Sequence, residues 1–510
     1  MKKRVAIMVI VSIVLVTVLS ACSKKQKTEE SAKDAAPTRI SILTPFFSKE
    51  PPNADNVIVK EVEKRTNTQL DITWAPSARY DDKVSVTMAS GSMPDLLLAL
   101  SPFTSQIRQL VDDGAFWDLT DKIKAYPNLA ALPADIWNNT KMQDGRNYGI
   151  PRARSLTSVS IPIIRMDWLN KVNLPFPESL DDLYKVMVAF TKNDPDGNGK
   201  DDTYGLVGDW KSTMTWIFNV FTNTSFATTT NGLWKVEDGK MASAYTLPEM
   251  RDALVWFNKA YSEGLVPKDF INLVQYPAVQ EMVSTGKAGI WADGTHEAVR
   301  VQLELNKTVP NAELRPMPYI VSPAGKKWAP IGGGFNGLFF IPKTVSEAKL
   351  NKILTFMDYG ASDEGHDLGW YGLENVHYKV ESGFKITTEQ AVKDNVSQQA
   401  FGQIFGKYDK YQNAYFVGIT PALYERNKKI VDQRLEIGIS DPSVGLYSKT
   451  QQLVGSEIMK RIDDMMLKVV IGKEDIKAWD SFIAGLKADA QFQAIVQEFN
   501  DSYAKRVGSK

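Results

Sequence analysis

Strands and helices alternate over the first part of the chain, and this alternation constrains the fold more than any other feature of the sequence. Apolar, β-branched runs predict strands at residues 39–43, 69–74 and 94–98. Helical periodicity fills the two intervals between them, at 56–67 and 81–90. Strands joined by single helices form a mainly parallel sheet with right-handed crossovers. The sequence therefore predicts an α/β fold, in which polar loops at the carboxyl edge of the sheet bind ligands.

The amino terminus has the pattern of a secretion signal. Three cations at positions 2–4 precede an apolar run at 5–19, which is shorter than the roughly 20 apolar residues that a membrane-spanning helix needs. The sequence Leu-Ser-Ala-Cys that ends at Cys22 resembles the lipobox of bacterial lipoproteins. By that resemblance, residues 1–21 are a signal peptide that is removed, and the Cys22 thiol is acylated. An ordinary signal or an anchor helix is the alternative. Residues 22–37 are polar and charged, which is typical of a flexible tether.

Cysteine content and charge exclude several classes of partner and site. Cys22 is the only cysteine, so a disulfide within the chain is impossible. Lys+Arg and Asp+Glu each number 60, and removal of the signal removes three cations and no acid, which leaves a net charge of about −3. A charge this small does not indicate nucleic acid as a partner. The three histidines show no metal-binding spacing, so we expect no histidine metal centre.

An acidic loop near the middle of the chain has the spacing of a calcium site. Ser179 caps the helix that leads into this loop. Oxygen ligands recur at every second position, from Asp194, Asp196, Asn198, the Lys200 carbonyl and Asp202. An EF-hand has a bidentate Glu at position twelve of the loop, whereas this chain has Gly205 there. The loop is therefore not a full EF-hand, and the alternative is a turn rich in Asp and Asn that holds no ion.

Eight short runs along the chain carry a resemblance to a known family. They are ASGSMPDLL (89–97), YGIP (148–151), DWLNKVNLPFPESLDDLYKVMVAF (167–190), DPDGNGKDDTYG (194–205), WFNKAYSEGLV (256–266), TGKAGI (285–290), FIPK (340–343) and LTFMDYGASDEG (354–365). In content and order these runs resemble the family 1 extracellular solute-binding proteins, the lipoprotein receptors of ABC importers for sugars. The acidic loop resembles that of the alginate-oligosaccharide receptors within this family, except that Thr203 stands where an acid often follows.

The resemblance implies an architecture, a partner and a location. The fold is expected to be the two-lobed, type II periplasmic-binding-protein fold, with solute bound in a cleft between the lobes. Lobe I is expected mainly at 38–160 with a later return segment, and lobe II mainly at 161–330 with the C-terminal helices. The partners are then a sugar or oligosaccharide, the permease subunits of an ABC importer and, through the lipid anchor, the extracellular face of the cell membrane. We expect the protein to be a monomer and the calcium ion to be structural.

Aromatic side chains near predicted loops are the candidates for sugar contacts. The chain has 12 tryptophans, and sugar faces stack on aromatic rings. Trp291 and Asp293 lie at the end of a predicted strand, and Trp210, Trp216 and Phe335 lie near other predicted loop edges. Each aromatic residue has the alternative role of a core or rim residue.

Two classes of function remain open from the sequence. The first is a binding receptor, anchored at Cys22, that closes its cleft on a solute and passes it to a permease. The second is a lipid-anchored enzyme that acts on glycans, which would need two carboxylates facing each other across a cleft. No recognisable catalytic motif is present in the sequence, so we expect a receptor and no enzymatic activity.

Overall fold

A computed structural model describes residues 36–508, except 49, 54, 211–213, 226–230 and 274–277. The predicted signal peptide, Cys22 and most of the tether lie outside the described residues. Within the described part of the chain, no helix is both long and apolar enough to cross a membrane.

The strands are short, and most of them lie in two sheets. Their bounds are β1 Thr38–Phe46, β2 Thr68–Pro76, β3 Leu96–Ala99, β4 Gly149–Ala153, β5 Ile161–Arg165, β6 Tyr204–Leu206, β7 Trp234–Glu237, β8 Lys240–Ser243, β9 Ala288–Asp293, β10 Leu314–Pro316, β11 Ile320–Val321, β12 Lys327–Trp328, β13 Phe335–Phe340, β14 Tyr378–Glu381 and β15 Phe384–Thr387.

The helices cover these sheets and extend the C-terminal part of the chain. Their bounds are α1 Val57–Thr66, α2 Tyr80–Ala89, α3 Ser105–Asp112, α4 Pro127–Ala130, α5 Ala134–Asn139, α6 Met166–Lys171, α7 Leu180–Lys192, α8 Trp216–Thr222, α9 Pro248–Ser262, α10 Gln280–Ser284, α11 Thr295–Leu305, α12 Glu347–Gly360, α13 Asp363–Trp370, α14 Glu389–Lys393, α15 Pro421–Glu436, α16 Lys449–Val470, α17 Ile476–Ala488 and α18 Ala490–Gly508.

The first sheet has the strand order β2-β1-β3-β13-β4. β1 pairs in parallel with β2 and with β3, as the alternation of strands and helices predicts. β13 comes from much later in the chain and is antiparallel to both β3 and β4. The side chain of Asn56 begins the first crossover helix by accepting hydrogen bonds from the backbone N–H groups of Ile58 and Val59. This sheet and its helices form the first lobe.

The second sheet has the strand order β10-β5-β9-β6. β5 is antiparallel to β9 and β10, and β6 is parallel to β9. Every residue of β5 and β9 is buried because helices cover both faces of the sheet. Ile164 and Ile290 point into one hydrophobic core, while Ile163 and Trp291 point into another on the opposite face.

The C-terminal helices α16–α18 pack on the second lobe. The side-chain amide of Asn258, in α9, donates to the Val469 carbonyl of α16 at 3.0 Å. Arg251, also in α9, donates to Asp480 of α17 at 2.9 Å. Phe499 of α18 is fully buried in the larger core of this lobe. The second lobe is therefore built from two separate parts of the chain. The same is true of the first lobe, because β13 joins its sheet from much later in the sequence.

Three segments cross between the lobes, at 154–160, 329–334 and 437–448, and hydrogen bonds join them side by side. The N–H of Gly332 donates to the Leu156 carbonyl at 2.7 Å, which links the first two segments. Ile331 N–H donates to the Ile439 carbonyl at 2.9 Å, and Ile439 N–H donates to the Ala329 carbonyl, also at 2.9 Å. The α/β fold class is therefore confirmed, and the two lobes are joined by a shared, hydrogen-bonded hinge.

Arg434, near the end of α15, holds the hinge from within. Its guanidinium is fully buried and donates to the carbonyls of Thr157 at 3.1 Å, Val159 at 3.2 Å and Pro330 at 2.9 Å. It also donates to the hydroxyl of Thr295, which begins α11 in the second lobe, at 3.3 Å. Burial lowers the pKa of Arg434 to about 9, so the side chain is still charged at neutral pH.

Candidate functional site

The carboxyl edges of the two sheets face each other across the hinge. β4 ends where the first crossing segment begins, and β5 begins where that segment ends. The pairing of Ile161 with Asp293 places the start of β5 beside the end of β9. In the first lobe, the pairing of Phe335 with Ala153 places the start of β13 beside the end of β4. Ligands of α/β proteins bind outside the carboxyl ends of strands, so the region between these edges is the candidate site.

A cavity of about 530 Å³ lies at the carboxyl end of β3 and the start of β13. Its volume falls within the range of small-molecule sites. Asn231 and Gln452 of the second lobe also line it, and Ser105 of the first lobe donates to Gln452 Oε1 at 2.8 Å. The cavity is therefore bounded by both lobes, as a cleft between them requires.

Two aromatic rings, Phe103 and Phe335, lie at the wall of this cavity. They meet edge to face, with centroids 6.2 Å apart and planes at 85°. Both rings are partly exposed, so each keeps surface for a ligand. The hydroxyl of Ser101, on the same wall, donates to Asp81 Oδ2 at 2.9 Å. Aromatic surface beside hydroxyl and carboxylate groups suits a ligand with apolar faces and polar edges.

A larger cavity of about 1230 Å³, also lined by residues of both lobes, lies away from these edges. It is lined by the segment 138–145, the β7–β8 hairpin, the third crossing segment and the end of α18. None of its lining residues belongs to the carboxyl edge of either sheet. We therefore place the candidate site in the smaller cavity and its surroundings.

Two arginines lie where β4 ends and the first crossing segment begins, at the carboxyl edge of the first sheet. Arg152 Nε donates to the Asn336 carbonyl at 2.6 Å, and its Nη1 donates to Gln403 Oε1. Arg154 Nη1 donates to the Ala153 carbonyl at 2.8 Å. Burial lowers the pKa of Arg154 to about 10, and burial together with the charge of Arg154 lowers the pKa of Arg152. Sequence reasoning missed both residues, because nothing in the sequence Arg-Ala-Arg distinguishes them from surface cations.

The carboxyl end of β9 supplies the second-lobe side of the site. Asp293 lies at this edge, as predicted, but its carboxylate is only 4% exposed. Its Oδ1 accepts from the N–H of Gly294 at 2.8 Å, and its Oδ2 accepts from Gln280 at 3.3 Å. His296 is partly exposed, with its Nε2 3.3 Å from Glu297 Oε1. Asp293 therefore orders the backbone at this edge through its hydrogen bonds, and His296 is the more exposed of the two side chains.

The prediction that Trp291 contacts a sugar is wrong. Its side chain is fully buried in the core between β9 and the helices α10 and α11. Val283 and Val301 belong to the same core. Because helices cover both faces of the sheet, an aromatic side chain near the end of a strand enters the core instead of the cleft.

The same physical reason removes Trp210 and Trp216 from the candidate contacts. Trp216 is fully buried, as are its neighbours throughout α8. Trp210 is 4% exposed, and its indole nitrogen donates to Asp463 Oδ1 at 2.7 Å. Its ring packs edge-on against Phe218 in the main core of the second lobe. Of the predicted aromatic contacts, Phe335 is the one that lines the cavity.

The acidic loop lies after α7, whose first turn is capped by Ser179 as predicted. The backbone N–H of Asn198 lies 3.0 Å from Asp194 Oδ1 and 3.3 Å from Asp196 Oδ1. The side-chain nitrogen of Asn198 donates to Asp196 Oδ2 at 2.8 Å and to Asp202 Oδ1 at 3.0 Å. The Lys287 ammonium, 2.6 Å from Asp202 Oδ2, lowers the pKa of that carboxyl. Nitrogen donors therefore hold the carboxylates of the loop.

Backbone N–H groups of the loop also point toward its polar side chains. The N–H of Gly199, which has a φ of 76°, donates to Asp194 Oδ2 at 3.0 Å. The N–H of Lys200 donates to Asn198 Oδ1 at 2.8 Å. Desolvation raises the pKa of Asp194, but hydrogen bonds, of which the one from the Gly199 N–H is the largest, together lower it by more, and the net shift is downward. Among the described residues, no three His, Cys, Asp or Glu side chains are spaced to hold one metal ion.

Comparison with known proteins identifies the family. A family model for bacterial extracellular solute-binding proteins matches residues 48–367. The polygalacturonan/rhamnogalacturonan-binding protein YtcQ of Bacillus subtilis (strain 168) is 32% identical over 507 residues, which is 98% of this chain and 99% of YtcQ. The lipoprotein LipO of the same organism is 30% identical over 483 residues, 91% of this chain and 92% of LipO.

Solved structures agree on the fold. A crystal structure of the alginate-binding protein AlgQ2 without calcium ion superposes with a TM-score of 0.65 at 20% identity. The superposition covers 92% of this chain and 98% of AlgQ2. The chain belongs to the family of bacterial extracellular solute-binding proteins.

Proposed function

We propose that this protein is a lipid-anchored receptor that binds an oligosaccharide between its lobes and delivers it to the permease of an ABC importer. The observation that carries the proposal is the cavity of about 530 Å³ at the carboxyl edge of the first sheet, bounded by both lobes. The similarity to YtcQ, a polygalacturonan/rhamnogalacturonan-binding protein, extends over 98% of the chain and supports a carbohydrate as the solute.

The composition of the cavity favours binding over catalysis. A glycoside hydrolase of the usual kind needs two carboxylates facing each other across the bound sugar. Asp81 is the one carboxylate among the described residues that line the cavity, and it accepts a hydrogen bond from Ser101. Phe103 and Phe335 instead provide the apolar surface on which a sugar ring can pack.

Binding without turnover is the result that tests this function. Purified protein lacking the signal peptide is titrated calorimetrically with neutral and acidic oligosaccharides, and each ligand is then recovered and analysed by chromatography. We expect saturable one-to-one binding of at least one oligosaccharide, which is recovered intact. Shortened products that accumulate with time would instead support the glycan-cleaving enzyme.

Phe335→Ala is expected to weaken oligosaccharide binding by about 1–3 kcal/mol, because it removes a buried aromatic contact at the binding site. The measurement is the dissociation constant by calorimetry, with the melting temperature as a test of folding. Phe482→Ala is the matched control, since Phe482 is a partly exposed ring that packs on the core of the second lobe and does not line the cavity. Equal affinities of the two variants would remove Phe335 from the site.

The lipid anchor is proposed at Cys22, from the lipobox-like sequence that ends there. Similarity to LipO, a lipoprotein, over 91% of the chain supports this proposal. Cys22→Ala is expected to abolish acylation, so the protein appears in the medium or keeps its signal peptide. Membrane fractionation and mass spectrometry of the amino terminus measure both outcomes, with Ser23→Ala as the control. If the Cys22→Ala variant is processed normally and stays in the membrane fraction as the wild type does, Cys22 does not carry the anchor.

We also propose that the loop 194–202 binds calcium for structure. Three carboxylates and an amide supply the oxygen donors that a hard cation prefers, and these side chains would have to draw together around the ion. The nitrogen of Asn198 now lies between Asp196 and Asp202, and rotation of this amide would present its oxygen to an ion instead. The loop follows α7 and is tied to Lys287, next to the first residue of β9, at the edge of the sheet opposite to Asp293. An ion there would act on stability and would not touch the solute.

A further inference from the structure

Two arginines where β4 ends are cations without acidic partners. Arg152 is in β4, and Arg154 is the first residue of the crossing segment that follows it. Burial and the charge of Arg154 both lower the pKa of Arg152, so the two guanidinium groups lie near each other. Arg152 donates to the Asn336 carbonyl and to Gln403, and Arg154 donates to the Ala153 carbonyl. Within the described part of the chain, neither guanidinium forms an ion pair with a carboxylate.

Two lysines of the same lobe pair with acids, whereas the two arginines do not. Lys385 pairs with Asp367, and Lys407 pairs with Asp363. Burial of a charge that no opposite charge balances costs several kcal/mol unless hydrogen bonds compensate it, as backbone carbonyls do for Arg434. Arg152 and Arg154 therefore leave uncompensated positive charge at the carboxyl edge of the first sheet.

Arg154 is the better placed of the two to meet a ligand. Its side chain is half-buried, whereas Arg152 is only 3% exposed. Its guanidinium lies 5.8 Å from the centre of the Trp370 ring, which supports it from one side. One nitrogen donates to the chain's own backbone, and the others are the donors of a planar fork that matches a carboxylate.

The histidine beside Trp370 carries no charge of its own. The ring of His366 lies 4.5 Å from that of Trp370. Burial, with the charges of Lys385, Lys407 and Arg154, lowers the pKa of His366 to about 3, so this histidine is neutral at physiological pH. The guanidinium of Arg154 is therefore the positive charge beside Trp370 that no acid of the described residues pairs.

We infer that the solute is an acidic oligosaccharide and that Arg154, with Arg152 beside it, binds the carboxylate of one of its sugar residues. The inference rests on the proposed function and narrows its substrate class to sugars that bear carboxylates. Arg152 is held by Asn336 and Gln403 and contributes charge, while Arg154 donates the hydrogen bonds to the ligand.

The test compares one oligosaccharide with its carboxylates charged and neutralised. Calorimetric titrations use galacturonic acid trisaccharide and its methyl ester, at low salt, with wild type, Arg154→Met, Arg154→Lys and Arg39→Met. Arg39 is the matched control, because it lies at the amino end of β1, at the opposite edge of the sheet, and pairs with Asp71 in solvent. Melting curves of all four proteins show that each is folded.

We expect wild type to bind the acid roughly tenfold to a hundredfold more tightly than the ester, since charge-assisted hydrogen bonds are lost on esterification. Arg154→Met is expected to bind the acid as weakly as wild type binds the ester. Arg154→Lys is expected to fall between, because lysine keeps the charge but not the planar fork. Arg39→Met is expected to behave as the wild type does.

Equal affinity of wild type for the acid and the ester would overturn the inference, whether or not the Arg154 variants fold. Equal affinity of Arg154→Met and Arg39→Met for the acid would remove Arg154 from its role. If neutral oligosaccharides bind but the trisaccharide does not, this inference is overturned and the proposed function stands. Failure of every oligosaccharide to bind would overturn both.

Discussion

Arg434→Met is expected to lower the free energy of unfolding by about 3–5 kcal/mol, because it leaves three buried carbonyl groups without their donor. These carbonyls belong to Thr157, Val159 and Pro330, in two of the segments that join the lobes. Methionine fills much of the same volume but has no N–H group to offer. The loss of stability should therefore come from the missing hydrogen bonds more than from changed packing. Urea unfolding, followed by fluorescence of the tryptophans, measures it.

Lys429→Met is the control for the hinge prediction. Lys429 lies in the same helix, α15, and its side chain is exposed. Substitutions at exposed positions without special contacts change stability by about 0.5 kcal/mol or less. If Arg434→Met and Lys429→Met unfold at the same urea concentration, Arg434 does not hold the hinge together.

Removal of calcium is expected to lower the melting temperature of the wild type. An ion that binds the folded state alone stabilises it by about 2.7 kcal/mol when its free concentration is about 100 times the dissociation constant. Melting curves in EDTA and in excess calcium measure the difference. Solute affinity should change little, since the loop 194–202 lies at the edge of the second sheet that faces away from the cavity.

Asp196→Ala is expected to melt at the temperature of the chelated wild type and to be insensitive to added calcium. Asp201→Ala is the matched control, because Asp201 is an exposed acid of the same loop outside the proposed ligand set. It should respond to calcium as the wild type does. Identical wild-type curves in EDTA and in calcium would mean that the loop is a turn without an ion.

Local patterns predicted the elements of the first lobe well. Strands expected at 39–43 and 69–74 are found at Thr38–Phe46 and Thr68–Pro76, because β-branched runs that are bounded by polar loops have few other stable conformations. The cap at Ser179 was predictable for the same reason, since its hydroxyl and the N–H of Asp182 are three residues apart.

Features that depend on distant parts of the chain were not predictable in this way. β13 enters the first sheet between β3 and β4 although about 180 residues separate β4 from β13, and no local pattern specifies that position. Trp291 was misplaced because strand periodicity does not reveal whether a helix covers the end of the strand. Arg154 went unnoticed because its lack of an acidic partner, and its contact with Trp370, appear only in the folded chain.

Hydrogen exchange of backbone amides, measured with and without saturating oligosaccharide, tests directly whether the solute binds between the lobes. Slower exchange is expected in both lobes, at 100–107 and 333–337 in the first and at 231 and 452 in the second. Protection of one lobe alone would contradict binding between the lobes. So would protection confined to the larger cavity, at 439–446 and 502–507, because that result would place the ligand away from the carboxyl edges of both sheets.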